Sequence, residues 1–477
     1  MSDIVLFMPQ TGVYRKVLRP WMPLPLLNIA THLVGKGYKF TIIDQRVDQD
    51  WKQQLIDAVK KNPICVGISS MTGSQIMGGL EAAAVVRETG STPIVWGGVH
   101  PSLFPRETLA DPLVDYVVVN EGEETFPELV RALEEKRVPE GILGVGYKKA
   151  TGELVVNPNR PFIDLNKLPE VPYFLIDFNK YLHRWFNEPS VTEIETSRGC
   201  PFVCTFCYNS LYHDRKWRSL TPENSVDRFQ QISEKYGVKS FHVIDDDFFI
   251  NMKRVDEIMK LVIRRGLDVR IGLQGIRIDE MVRITDESLE RMRQAGARFL
   301  QFGVESGSQK VLNLIKKRIT VEQVIQVNRR LAKHKDVIAF YNFMCGLPGE
   351  TTEDLFKTTE LAIRLLDENP NAYISPFHIY KPYPGTDLYA DVKKMGFEEP
   401  KSLADWGRFD WTDSVGLQSQ TSLLRKVATA SLCIDRKVEM QGDSRLMSFL
   451  AKVYRPVARF RFRHNFYSFM PEASLVS

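Results

Sequence analysis

The chain has 477 residues, too many for one ordinary domain and enough for roughly two to four. Hydrophobic residues make up 43% and charged residues 26%, the balance of a globular protein, and a net charge of +4 is too small for an electrostatic nucleic-acid binder. No run approaches the ~18 uninterrupted apolar residues of a spanning helix, and "MSDIVLFMPQ" lacks the basic region of a signal peptide. A cytoplasmic location is therefore expected, where clustered cysteines bind metal or do redox work more often than they form disulfides.

Residues 1–136 alternate strand and helix as an open parallel sheet requires. "DIVLFMP" reads as a strand, "LLNIATHLVGKG" as a helix, "KFTIID" as a strand and "DWKQQLIDAVKKN" as a helix. "ICVGISS", the Ala-rich "GGLEAAAVVRETG", "PIVWGG", "DYVVVNEG" and "EETFPELVRALEEK" continue the pattern. The strands are continuously apolar, as in a sheet covered on both faces. This predicts a doubly wound, Rossmann-like α/β domain, whose ligands sit beyond the carboxyl ends of the strands. Those ends are rich in Gly, Ser and Thr, so backbone can approach a ligand closely.

Residues 137–190 read as a connector, with a small β-like piece and the Pro-rich "LPEVPYFLIDFNKY". Alternation resumes over 191–390 with "TEIETSRG", "SFHVIDDDF", "RIGLQGI", "FLQFGVES", "IAFYNFMCG" and "YISPFHIYKP". Six such units predict a partial (β/α)6 barrel with its chemistry at the C-terminal strand ends. Residues 391–477 read as a helical, basic tail.

Cys200, Cys204 and Cys207 stand in C-x3-C-x2-C spacing directly after a strand. Thiolates suit iron–sulfur clusters and zinc. Three ligands on a four-iron cube leave one iron open, the condition a catalytic metal centre needs. The alternative is a structural zinc site with His213 as fourth ligand. Cys65 and Cys433 read as small buried hydrophobes, and Cys345 as either core or site.

The motif, with Phe206 inside it, resembles the radical S-adenosylmethionine (SAM) signature, and the ordered pieces downstream extend the resemblance over about 191–390. "DDDF" at 245–248 lies where the family's second strand contacts the SAM amino group, which puts Asp246 and Asp247 at SAM. "GVESGS" brings Glu305 and Ser306 to its ribose or methionine, "GLPGET" brings Gly346, and "PYPGT" brings Pro384 near the adenine. Arg277 could pair with a carboxylate. Strand alternation sends neighbouring aspartates to opposite faces, so at most two of Asp245–Asp247 are expected in one site. Glu350 reads as the cap of the next helix. By this resemblance a [4Fe-4S] cluster binds SAM and, supplied with an electron by a flavodoxin or ferredoxin type donor, cleaves it to a 5′-deoxyadenosyl radical.

The N-terminal domain resembles the cobalamin-binding domain joined to many radical SAM enzymes, in the branch similar to anaerobic magnesium-protoporphyrin IX monomethyl ester cyclases. The resemblance rests on "MPLPLLNIATHL", "SSMTGS", "GGVHPS" and "NEGEETF". It implies cobalamin contacts from Ser69, Ser70, Thr72 and Gly73, from Gly97, Gly98, Val99 and His100, and from Glu121 and Gly122. The Asp-x-His-x-x-Gly motif that carries a lower cobalt ligand is absent from "PQTGVYRKVLRP". His100 reads as a turn former or peripheral contact.

Residues 421–477 hold ten Lys/Arg against four Asp/Glu, and "VYRPVARFRFRHNFYSF" interleaves arginines with aromatics. Two readings stand: an amphipathic surface for peripheral membrane association, or a segment packed on the barrel, which Pro456 favours by interrupting the helix. Trp406, Phe409 and Trp411 could line an apolar pocket. The expected function is SAM-derived radical chemistry that functionalises, most simply methylates, an unactivated carbon of a small apolar substrate. Cyclisation, hydroxylation or carbon–carbon coupling without methyl transfer, loss of cobalamin, and a non-catalytic metal scaffold are the alternatives.

Overall fold

The structure, a computed structural model, describes residues 3–10, 20–186, 188–409, 421–437 and 445–470. The chain divides into two compact units: Met1–Tyr181 with Glu398–Asp410, and Leu182–Phe397 with Trp411–Ser477.

In the first unit, β1 (Ile4–Met8), β2 (Phe40–Asp44), β3 (Cys65–Ser69), β4 (Ile94–Gly97) and β5 (Tyr116–Val118) form a parallel sheet. Strands β6 (Val145–Lys148) and β7 (Leu154–Val156) extend it antiparallel, in the order β2-β1-β3-β4-β5-β6-β7. Residues 137–181, expected as a connector, thus contribute two strands to this sheet. All five residues of β1 are buried, because helices cover both of its faces. Ile4, Leu6 and Met8 pack with helices Leu24–Val34 and Gly122–Glu134, while Phe7 meets Trp51 of helix Trp51–Val59 at 5.3 Å on the other side. Helix Ser74–Thr89 lies close over the sheet through Gly79, where an added Cβ would stand 2.6 Å from the Trp96 ring. The direction of strand addition reverses between β1 and β3, so the ligand crevice of a doubly wound sheet lies at their carboxyl ends. Residues 11–19 lie outside the described residues.

The second unit holds a sheet in the order β16-β15-β14-β13-β12-β9-β8. Its strands are β8 (His183–Trp185), β9 (Glu188–Ile194), β12 (Ser240–Val243), β13 (Arg270–Ile276), β14 (Ala297–Glu305), β15 (Ile338–Cys345) and β16 (Ala372–Ile374). Strand β17 (His378–Ile379) pairs with the end of β15. All but β8 run parallel, with helices on the outer face, which is the partial barrel expected. The expected last strand is split into β16 and β17. A two-residue ladder, β10 (Ser197–Arg198) with β11 (Arg218–Ser219), closes residues 199–217 into one loop at the barrel mouth. The tail folds into helices Thr421–Ser431 and Arg445–His464, the latter continuous through Pro456.

Gly98 bends the end of β4 with φ +99°, and a Cβ there would lie 2.7 Å from the Ser70 carbonyl oxygen. Gly98→Ala is expected to destabilise the protein by about 3 kcal/mol, from left-handed strain plus backbone overlap, as read by urea unfolding.

Candidate functional site

Strand β12 ends at Val243, so the aspartate run lies beyond it and the alternation expected of a strand does not apply. Asp246 and Asp247 reach the loop that carries the cysteines, and Asp245 the residues that lead into it. Asp245 is fully buried and accepts from Thr196 N–H, Thr196 Oγ1 and Ser197 Oγ, each at 2.6 Å. Burial pushes its carboxyl up, opposed by Arg254 and these donors. Asp246 accepts from Gly199 N–H at 2.7 Å and Asn209 Nδ2 at 2.6 Å, with His213 Nε2 3.4 Å away. Asp247 accepts from Phe249 N–H at 3.2 Å and stands 3.9 Å from Cys200 Sγ. Burial and the neighbouring Glu280 carboxyl push Asp247 upward. Gly199 itself has φ +83°, and a Cβ there would overlap the Lys216 carbonyl where the loop crosses itself.

The thiols sit among charged groups. Arg277 is buried, stacks 3.7 Å above the Phe202 ring, points Nη1 at Cys204 Sγ (3.8 Å) and donates from Nη2 to the Lys317 carbonyl at 2.6 Å. Burial pushes the Cys200 thiol strongly upward, reinforced by Asp247, and takes Cys207 to about 12. Buried thiols of this kind need a metal's positive charge to bind as thiolates. Among the described residues no three His, Cys, Asp or Glu side chains converge on one metal ion. A cube makes no such demand, since each thiolate takes a different iron. His213 is engaged by Asp246 and by Arg218 Nη2 at 3.2 Å, away from the fourth-ligand role. The donor set therefore fits a three-thiolate cluster, which Cys200, Cys204 and Cys207 would hold.

On β14 and β15, Phe302 stacks on Tyr341 (5.4 Å), whose hydroxyl reaches Asn328 in helix Val321–Leu331. That face points outward, and Cys345 shares it with Tyr341 and Phe343, so Cys345 is core. Gln301 and Asn342 face the lumen and pair at 3.3 Å. Above them Glu305, in a bulge with φ +72°, holds Lys317 Nζ at 2.8 Å. Burial lowers the Lys317 ammonium, but Glu305 and Cys204 outweigh it and hold the group upward. His378 alternates with buried Phe377 and Ile379; its ring stays open while surrounding protein pushes its pKa down, against the nearby Glu305. Such a ring faces the lumen.

Phe206 lies 5.9 Å from Lys317 Nζ, beside this pair. Pro384 belongs to a turn docked on the cysteine loop: Leu388 N–H donates to Thr205 O at 3.0 Å, and Tyr383 meets Tyr208 at 5.5 Å. Ser306 is fully buried against Thr358 Oγ1 (3.1 Å), directed away from the lumen. The Gly346 N–H donates to Glu350 at 2.5 Å, so Glu350 closes its own turn, and the helix cap is Thr351 with Asp354. Burial takes Glu350 to about 7. Sequence reasoning missed Lys317, for which no motif signal exists, and also Tyr208 and Asn209, which directly follow Cys207.

In the first unit, Ser69, Thr72, Gly97, Gly98 and Val99 form a half-open arc at the ends of β3 and β4. Behind it the Ser70 hydroxyl is buried without a hydrogen-bond partner, a polar atom a ligand in the crevice could satisfy. This fits a large polar ligand such as cobalamin. Gly73 opens helix Ser74–Thr89, and Gly122 opens helix Gly122–Glu134 against Ile29. The Glu121 carboxylate is taken by Ile163 N–H at 3.1 Å. His100 is sealed: Nδ1 pairs with Thr72 Oγ1 at 3.0 Å, and Phe104 and Trp406 pack its ring at 5.6 and 5.7 Å. Burial pushes it down to about 3, so it stays neutral. Trp406 and Phe409 are accordingly packing residues of the first unit, at 5.8 Å from each other, and Trp411 lies outside the described residues.

Asp246→Ala removes two bonds that fix the cysteine loop. It is expected to cost about 3–6 kcal/mol, at about 1.5–3 kcal/mol per charged bond, and to lower retained iron after anaerobic reconstitution, as measured by iron analysis after desalting.

A profile of the radical SAM superfamily matches residues 194–362, and one of the B12 binding domain matches residues 11–130. An uncharacterized methyltransferase of Pyrococcus horikoshii is 31% identical over 82% of this chain and 83% of its own length. The anaerobic magnesium-protoporphyrin IX monomethyl ester cyclase of Rubrivivax gelatinosus is 27% identical over 78% of this chain and 66% of its own. Among solved structures, the radical SAM methyltransferase TsrM from Kitasatospora setae shares the fold, with a TM-score of 0.69 and 17% identity over 97% of this chain and 98% of that one. The chain belongs to the radical SAM enzymes that carry an N-terminal cobalamin-binding domain.

Proposed function

We propose that this enzyme methylates an unactivated carbon of a small, largely apolar substrate. The observation that supports it most is the pairing, in one chain, of a carboxylate-anchored three-thiol loop at a half-barrel mouth with an open, Ser- and Gly-lined crevice in a B12-type sheet. The Pyrococcus horikoshii relative, an uncharacterized methyltransferase by name, points the same way. When bound, the cluster and SAM would supply hydrogen-atom abstraction, and cobalamin would supply methyl transfer. The chain's own residues hold and shield. Cys200, Cys204 and Cys207 would anchor the cluster, Arg277 places positive charge beside Cys204, and the Glu305–Lys317 pair, Gln301, Asn342 and His378 offer the lumen's polar contacts. Phe299, Phe340, Tyr373 and Trp185 build an aromatic layer toward the N-terminal ends of the strands and close the barrel below these groups.

The overall balance is R–H plus two SAM and two electrons, giving R–CH₃, methionine, 5′-deoxyadenosine and S-adenosylhomocysteine. The electrons require a low-potential donor of flavodoxin or ferredoxin type.

Reconstituted enzyme with bound cobalamin, given methyl-labelled SAM and a low-potential reductant, is expected to form 5′-deoxyadenosine and labelled methylcobalamin. Arg277→Ala should lower the first product at least about tenfold, by analogy with loss of a preorganised charge. Formation of 5′-deoxyadenosine with no label on cobalamin would contradict methyl transfer and favour the cyclase-type reading.

A further inference from the structure

Helix Arg445–His464 has two apolar faces. One is narrow and packed: Ala451, Ala458 and Phe462 are buried, with Phe462 edge-on to Phe377 at 5.5 Å. The other is wide and bare. Leu446, Phe449, Leu450, Val453, Val457 and Phe460 are each 44–65% exposed. At 3.6 residues per turn they fall within an arc of about 100°, a continuous stripe along the helix. Phe466 and Phe469, also exposed, continue it past the helix end. A monomer in water rarely leaves so many large apolar side chains side by side.

The charge on this helix is one-sided. It contains six Lys/Arg and no Asp or Glu. Lys452, Arg459 and Arg463 follow one edge of the stripe and, with Arg455 and His464, line a surface groove of about 600 Å³. Arg459 and Arg463 both reach Asp367, so one carboxylate answers two guanidiniums and the edge stays positive. An apolar stripe with a basic edge is what lies in the plane of an anionic bilayer surface, with apolar side chains at the acyl boundary and cations at the phosphates. A second copy answers less well, because the same helix brings no acidic residue to the basic edge. Among the described residues no helix is long and apolar enough to cross a membrane.

We propose that helix Arg445–His464 docks this enzyme on anionic lipid surfaces, lying in the interface with Leu446, Phe449, Leu450, Val453, Val457 and Phe460 inserted. The proposal stands on surface geometry and does not depend on the chemistry at the barrel mouth.

The test is co-sedimentation of the full-length holoenzyme with vesicles of phosphatidylcholine alone or mixed with phosphatidylglycerol. Binding is expected only with the anionic lipid, weakening as salt screens the basic edge. The triple variant Phe449→Ser, Val453→Ser, Phe460→Ser should bind at least about tenfold more weakly, since each change removes inserted apolar area. Its melting temperature and iron content should match the unsubstituted enzyme, because all three side chains face water. Absence of vesicle binding, or binding unchanged in the triple variant, would overturn the proposal. So would a wild-type dimer that the triple variant converts to monomer without any vesicle binding, since a second copy would then cover the stripe.

Discussion

Three consecutive carboxylates beyond β12 hold the cysteine loop in place, and the site depends on that attachment. Asp245 has no exposed surface and is stabilised by three donors from Thr196 and Ser197, with Arg254 close by. Arg254 itself donates to the Thr196 and Leu220 carbonyls, so both ends of the loop are tied to one cation. Charged groups buried with such partners are tolerable; left alone each would cost several kcal/mol. Asp246 then fixes the first turn of the loop at Gly199 and its far side at Asn209, and Asp247 brings a carboxyl to Cys200. The thiols are thereby held by backbone and carboxylates before any metal arrives.

This arrangement separates two tasks. Positive charge stands beside the thiols, where Arg277 and Lys317 lie close to Cys204. The Glu305–Lys317 pair, two amides and an imidazole line the lumen, so a ligand there meets a paired charge and neutral polar groups. The first unit works by a different principle. Its half-open arc is made by glycine and small hydroxyl residues, so backbone rather than charge forms the crevice, and His100 serves as a neutral pillar under Phe104 and Trp406.

Much of this was legible in the sequence. Apolar strand runs marked the parallel sheets, and C-x3-C-x2-C after a strand marked the loop at the barrel mouth. What stayed hidden has physical causes. The strand expected through Asp245–Asp247 stops at Val243, so the face rule that separates neighbours within a strand does not govern these aspartates. Ser306 and Glu121 look like ligand contacts in a motif, yet each is engaged by a hydrogen bond to a residue far along the chain, which only tertiary structure reveals. Lys317 lies in a plain basic stretch and becomes significant only because the bulge at Glu305 aims a carboxylate at it. Pro456 was expected to break the last helix; the helix continues through it and exposes an apolar stripe.

The most direct measurement is metal analysis of anaerobically reconstituted protein beside a Cys200→Ala, Cys204→Ala, Cys207→Ala variant. The account predicts about four irons per chain with stoichiometric cobalt, and loss of iron but retention of cobalt in the variant. Zinc in place of iron, or iron that survives removal of all three thiols, would contradict it.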